Sequence, residues 1–163
     1  TVSMGLGFCA LTAVETRDAG GSVEEILENV RGVRRETCIY FTVGTLDFLY
    51  RGGRIGGARH LIGKALSIKP ILTVTDGQVE AAENVISRGR AVQRMLDLAA
   101  AEIPPGDPVR VAVISGDAGE EALERLMPIR QRWQPKQLIE GHISPAIGVN
   151  AGPGVLGITV SRC

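Results

Sequence analysis

Three observations predict an α/β fold with a mixed sheet and flanking helices. Asp76-Gly77 separates two strand-like runs, and both turn residues accept the positive φ of a tight hairpin. Thr37 to Val43 is rich in β-branched and aromatic residues, which favour a strand. Ser87 to Glu102 carries Ala91, Val92, Met95, Leu96, Leu98 and Ala99 at helical spacing.

In chain order, Ser3 followed by Met4, Leu6, Phe8, Leu11 and Val14 predicts a capped helix to about Arg17, ended by Gly20-Gly21. Ser22-Val23-Glu24-Glu25 is a capping box, and Val23, Ile26, Leu27 and Val30 fall on one face of the helix it opens. Strands follow at about 37–43, 68–75 and 78–86, then the helix to Glu102, which stops before Pro104-Pro105. Val109 to Ile114 is a short apolar strand. Ser115-Gly116-Asp117 then leads into a helix with Ala122, Leu123, Leu126 and Met127 inside. Leu138 to Ile143 is a further strand, and a glycine-rich tail precedes a last one at 156–161.

With 163 residues the chain can bury one full-sized core. Acids and bases balance to zero net charge and are interspersed, so nothing marks a nucleic-acid or anionic-membrane surface. Aromatic residues are only 4%, too few for base-stacking platforms. Cys9, Cys38 and Cys163 are far apart, without CxxC or ligand spacing, which suits a reducing cytoplasm. No stretch approaches the roughly 20 apolar residues of a membrane span, and the opening TVSMGLGFCALTAV has no basic flank of a signal peptide. The excess of arginine over lysine, which occurs only at Lys64, Lys69 and Lys136, points to a GC-rich bacterial genome.

The most informative stretch runs from Thr42 to Val74. Gly52-Gly53 and Gly56-Gly57 flank Arg54-Ile55, so a short helix stops, turns and restarts there. An arginine held in such a turn suits a carboxylate or phosphate, because its planar fork makes two charge-assisted hydrogen bonds. Its neighbours Ile55, Leu61, Ile62 and Leu66 are apolar, which predicts a greasy wall with one anion-holding tip. The bland alternative is ordinary turns around a solvated Arg54. The second candidate is Asn150, presented from a loop bounded by Gly148, Gly152 and Gly154; there the alternative is an Asn chosen for turn geometry alone. His60 and His142 lack a third metal ligand, and no nucleophile elbow is present, so neither metal nor cofactor is expected. Two classes of function remain open: a non-catalytic lipid-binding module, and a small α/β hydrolase or transferase using Arg54 with Asp47 as base.

TLDFLYRGGRIGG, SIKPILTVTDGQV and the tail IGVNAGPGVLGITV, taken in order with the opening SMGLGF, closely resemble the DegV family of bacterial fatty-acid-binding proteins. The resemblance implies two α/β lobes with a long-chain fatty acid between them, its acyl chain buried in the second lobe. It also implies a non-enzymatic carrier that presents the acyl group to a fatty acid kinase. On this reading residues 1–36 are a remnant of the first lobe and 37–163 the intact lipid-binding lobe. Most of the first lobe, about a hundred residues, would stand before Thr1 and act as the missing partner. The family's GGRIG arginine falls on Arg54, and Gly53 and Gly152 shape the head-group loops, with Ile55, Leu61, Ile62 and Leu66 lining the acyl chain. Two positions depart from the family pattern. Asn150 stands where its tail motif has a histidine, and Ile86 where it carries an arginine thought to face the kinase. Both changes leave lipid binding plausible and put phosphoryl transfer by the kinase in question.

Overall fold

The computed structural model describes residues 1–62, 68–116 and 128–163. Helices α1 (Met4–Asp18) and α2 (Val23–Arg35) form a hairpin ahead of β1 (Thr37–Thr42). Next come α3 (Asp47–Arg51), a 3-10 helix (Gly56–Leu61), and the hairpin of β2 (Lys69–Thr75) and β3 (Gln78–Val85). Then follow α4 (Arg88–Glu102), β4 (Val109–Ser115), α5 (Pro128–Trp133), β5 (Gln137–His142), α6 (Pro145–Ala151) and β6 (Leu156–Arg162). The strands form one mixed sheet in the order β3-β2-β1-β6-β4-β5, antiparallel except for β4 with β5. The expected hairpin turns at Asp76-Gly77, both at positive φ. The expected helix through Ala122 to Met127 lies outside the described residues.

Each strand serves two faces. On one, Cys38, Tyr40, Ile71, Val111, Val113, Leu156, Ile158 and Val160 pack with Met95 and Leu96 of α4 and Trp133 of α5. On the other, Leu72 joins Val43, Leu49, Ile55, Ala58, Leu61, Ala151 and Val155 in a smaller core under α3, the 3-10 helix and α6. α1 also lies against this second face: Gly5 abuts Ile39, and Arg110 of β4 donates to Thr12 and Glu15.

The β2–β3 ladder carries one irregularity. Ile71 pairs with Glu83 and Leu72 with Ala81, so Ala82 is an extra, unmatched residue on β3. Past this bulge Val79 and Ala81 join the smaller core, whereas Val85 belongs to the larger one.

The capping box of α2 forms as expected, with Ser22 Oγ accepting from Glu25 N–H at 3.2 Å and the Glu25 carboxylate accepting from Ser22 N–H at 2.7 Å. Its apolar stripe, however, is only partly covered: Ile26 and Val30 are half-buried, whereas Val23 is 65% and Leu27 48% exposed. The expected cap of α1 needs correction. Ser3 occupies the N-cap position at φ 53° and makes no side-chain cap bond, because its backbone is turned out of the extended geometry a capping hydroxyl requires.

Cys9 and Cys38 are buried and Cys163 is exposed. Burial pushes the Cys38 thiol up to about 12, with Glu102 adding to the effect. A thiol reagent at mildly alkaline pH should therefore label Cys163 alone in the native chain, and all three cysteines after denaturation. Peptide mapping of the labelled protein checks this, and modified native Cys38 would mean that β1 opens.

Candidate functional site

α3 ends in a Schellman motif. Gly53 takes φ 68° and its N–H donates to Tyr50 O at 3.1 Å, while Arg54 N–H reaches back to Leu49 O at 2.9 Å. This places Arg54 just past a closed helix end, its own N–H and that of Gly53 both bonded back into the last turn. Its Nη1 donates to Gly52 O at 2.7 Å, and its side chain is otherwise exposed. Gly56 sets the other limit of the turn. It sits at φ 47°, and a Cβ there would stand 2.3 Å from Val79 O, so the loop lies directly on the backbone of β3.

Asn150 comes from a helix, which corrects the expected loop. Ser144 at the N-cap, Pro145 at the first turn and Gly152 at φ 74° just past the end form α6 around it. These start and stop signals outweigh the high glycine and proline content that favours a loop. α6 rests on α3 at two glycines. A Cβ on Gly52 would lie 2.2 Å from Asn150 Oδ1, and one on Gly152 2.3 Å from the Phe48 ring. Asn150 Nδ2 donates to Ala146 O at 3.2 Å.

Between α1 on one side and α3 with α6 on the other, the second face of the sheet holds a cavity of about 340 Å³. That volume is within the range of small-molecule sites. Its floor is the alternate residues of neighbouring strands, among them Ile39, Phe41, Ile114, Gly157 and Thr159, with Ile143 and Ile147 closing one wall. Arg54 and Asn150 both line it, and among the described residues Arg54 is the sole charged group on the wall.

The other expected wall residues are elsewhere. Ile55 and Leu61 are 6% exposed, but they belong to the smaller core beneath α3, because the 3-10 helix turns them inward against Leu72. Ile62 is 42% exposed. Leu66 lies outside the described residues. Gly53 and Gly152 shape the two helix ends without contributing to the cavity wall. The residues missed by sequence reasoning are those of the strand floor. Period-2 alternation in 37–43 and 156–161 marks them as facing one way, but not toward which element.

A sequence profile described as an uncharacterised protein, DegV family, matches residues 1–162. The chain belongs to the DegV family. It is 40% identical over 163 residues to a DegV domain-containing protein of Streptomyces coelicolor, an alignment covering 98% of this chain and 57% of that protein. Against protein DegV of Bacillus subtilis the identity is 31% over 153 residues, covering 93% and 54%. Among solved structures, a DegV family protein from Thermus thermophilus, described for its fatty acid binding, superposes with a TM-score of 0.91 at 30% identity, covering 99% of this chain and 58% of that one. Bacillus subtilis DegV, described as a fatty acid binding protein, gives 0.84 at 29%, covering 98% and 56%. The chain thus spans a little over half the length of the relatives it matches.

Asn150 places an uncharged amide on the same cavity wall as Arg54. An amide neither carries charge nor shuttles a proton near neutral pH, so Arg54 supplies the only charge on the cavity wall among the described residues. Asp47, the base of the alternative enzymatic reading, is engaged with Thr45, whose Oγ1 donates to its carboxylate at 2.9 Å, and does not line the cavity. His60 and His142 are both exposed, and each places Nδ1 against a backbone oxygen, of Gly57 and Gly116 respectively. Among the described residues no three His, Cys, Asp or Glu side chains gather as a metal site, and no helix is long and apolar enough to cross a membrane.

Proposed function

We propose that this chain is the acyl-binding part of a non-catalytic long-chain fatty acid carrier. The acyl chain lies on the strand floor of the cavity, and its carboxylate sits at the Arg54–Asn150 end. The observation that carries this reading is an apolar cavity whose wall, among the described residues, bears one cation, held just past a closed helix end, with a neutral amide on the same wall. An apolar lumen recognises methylenes, and a single arginine fork recognises one anionic head. Descriptions of the Thermus thermophilus and Bacillus subtilis relatives as fatty acid binding support the same ligand class. In this reading the further length of those relatives covers the open rim, and a fatty acid kinase receives the bound acyl group.

Each buried methylene contributes about 0.8 kcal/mol, so the lumen supplies most of the affinity. Arg54 is exposed, which screens its pairing with a carboxylate. Arg54→Ala is therefore expected to cost about 1 kcal/mol, roughly a fivefold weaker Kd, without changing the preferred chain length. Calorimetric titration with palmitate, and with the uncharged alcohol of the same chain length as control, tests this. Saturable binding with an Arg54 effect confined to the acid is the expected result. No binding of either ligand would remove the proposal.

A further inference from the structure

The cavity has a second polar feature, away from Arg54. Among the described residues its polar side chains are Ser3, Arg54, Asn150 and Thr159. Arg54 and Asn150 come from the end of α3 and from α6, whereas the other two belong to the side of α1. Thr159 pairs directly with Ile39, and Ile39 Cδ1 lies 2.9 Å from the place a Gly5 Cβ would take. The first turn of α1 therefore rests on this part of the floor. Ser3 holds the N-cap position just ahead of that turn.

Thr159 is 3% exposed, yet its hydroxyl has no hydrogen-bond partner among the described residues. Ser161, two residues on along the same face of β6, shows the contrast, because its Oγ accepts from Thr37 Oγ1 at 2.9 Å. Three unbonded polar atoms among the described residues are sealed from all open space, Thr42 Oγ1, Arg88 Nη2 and Ser115 Oγ, and Thr159 Oγ1 is not one of them. The space it reaches is the cavity it lines. Ser3 makes no side-chain cap bond, which leaves a second hydroxyl uncommitted at the cavity wall.

A plain methylene chain laid over Thr159 would strand its hydroxyl away from water, which is costly. Valine has nearly the same shape and an equal preference for strands, so neither packing nor strand formation calls for the hydroxyl. A hydroxyl both donates and accepts and carries no charge. Its complement is a neutral group of the same kind on the ligand, because a second carboxylate would call for a cation such as Arg54.

We propose that the cavity selects fatty acids that bear one hydroxyl within the acyl chain, bonded by Thr159 with Ser3 as its second partner. The inference rests on the carrier reading and extends it: Arg54 recognises the acid, and Thr159 recognises the substituted chain. A site that bonds a ligand hydroxyl discriminates against the analogue lacking it, because the protein's own polar group is then left unpaired.

Calorimetric titration of the chain with palmitate and with a series of monohydroxylated palmitates, the hydroxyl moved along the chain, tests the proposal. One isomer should bind at least about fivefold tighter than palmitate. Thr159→Val should abolish that preference by strengthening palmitate and weakening the isomer, and Thr159→Ser, which retains the hydroxyl, should keep it. Palmitate binding with no preferred isomer, or a preference that survives in Thr159→Val, would overturn this inference and leave the carrier reading standing. Failure of palmitate and every isomer to bind would overturn both.

Discussion

Gly157→Leu is expected to reduce palmitate affinity by about a hundredfold while leaving the fold in place. Gly157 pairs with Phe41 on one side and Ile114 on the other, and all three line the cavity floor. A Cβ there meets Phe41 Cβ at 3.2 Å, a tight contact that a small side-chain shift relieves, and the remaining isobutyl group has only the lumen to enter. Displacing about four methylenes of bound ligand at 0.8 kcal/mol each removes roughly 3 kcal/mol, or about two orders of magnitude in Kd. Calorimetry on a variant with an unchanged circular dichroism spectrum measures it. Undiminished binding would place the acyl chain elsewhere.

The largest stability effect is expected at Trp133. The ring is 3% exposed in the core under α4, and its Nε1 donates to Ile103 O at 2.8 Å, tying α5 to the end of α4. Trp133→Ala leaves a cavity and orphans that carbonyl, so the loss should be about 3–5 kcal/mol, and the melting temperature should fall by about 10 °C. Urea denaturation provides the measurement. A change below about 1 kcal/mol would show that the ring is not part of the cooperative core.

Much of this architecture is legible in the sequence where local chemistry decides it. Asp76-Gly77 specifies a turn by the angles its residues accept, and Ser22 with Glu25 specifies a helix start by reciprocal hydrogen bonds, so neither depends on distant contacts. Arg54 is legible for the same reason, since paired glycines close a helix just ahead of it. The cavity wall is a different matter. Ile55 and Leu61 are near Arg54 in sequence, which makes them look like lining, yet the 3-10 helix packs them against Leu72. The actual floor combines Ile39, Ile114 and Thr159, neighbours only because β6 inserts between β1 and β4. That insertion is a long-range choice of strand order, and no short-range pattern in the chain encodes it. The α6 helix is hidden by its own glycines, although Ser144-Pro145 and Gly152 are start and stop signals when read together.

The unmatched Ala82 makes β3 change phase halfway along its length. Glu83 and Val85 answer to α4, through the Arg94 ion pair and the larger core, whereas Val79 and Ala81 answer to the face that holds the cavity, although all four positions are odd. A regular strand would have to give every odd residue to one face. Ala82 itself is exposed, so its identity matters little and its presence matters greatly. Evolution of this hairpin is therefore free to change letters on the outside but held to a fixed count: losing one residue would exchange the inner faces of half a strand and spoil both sides of the sheet together.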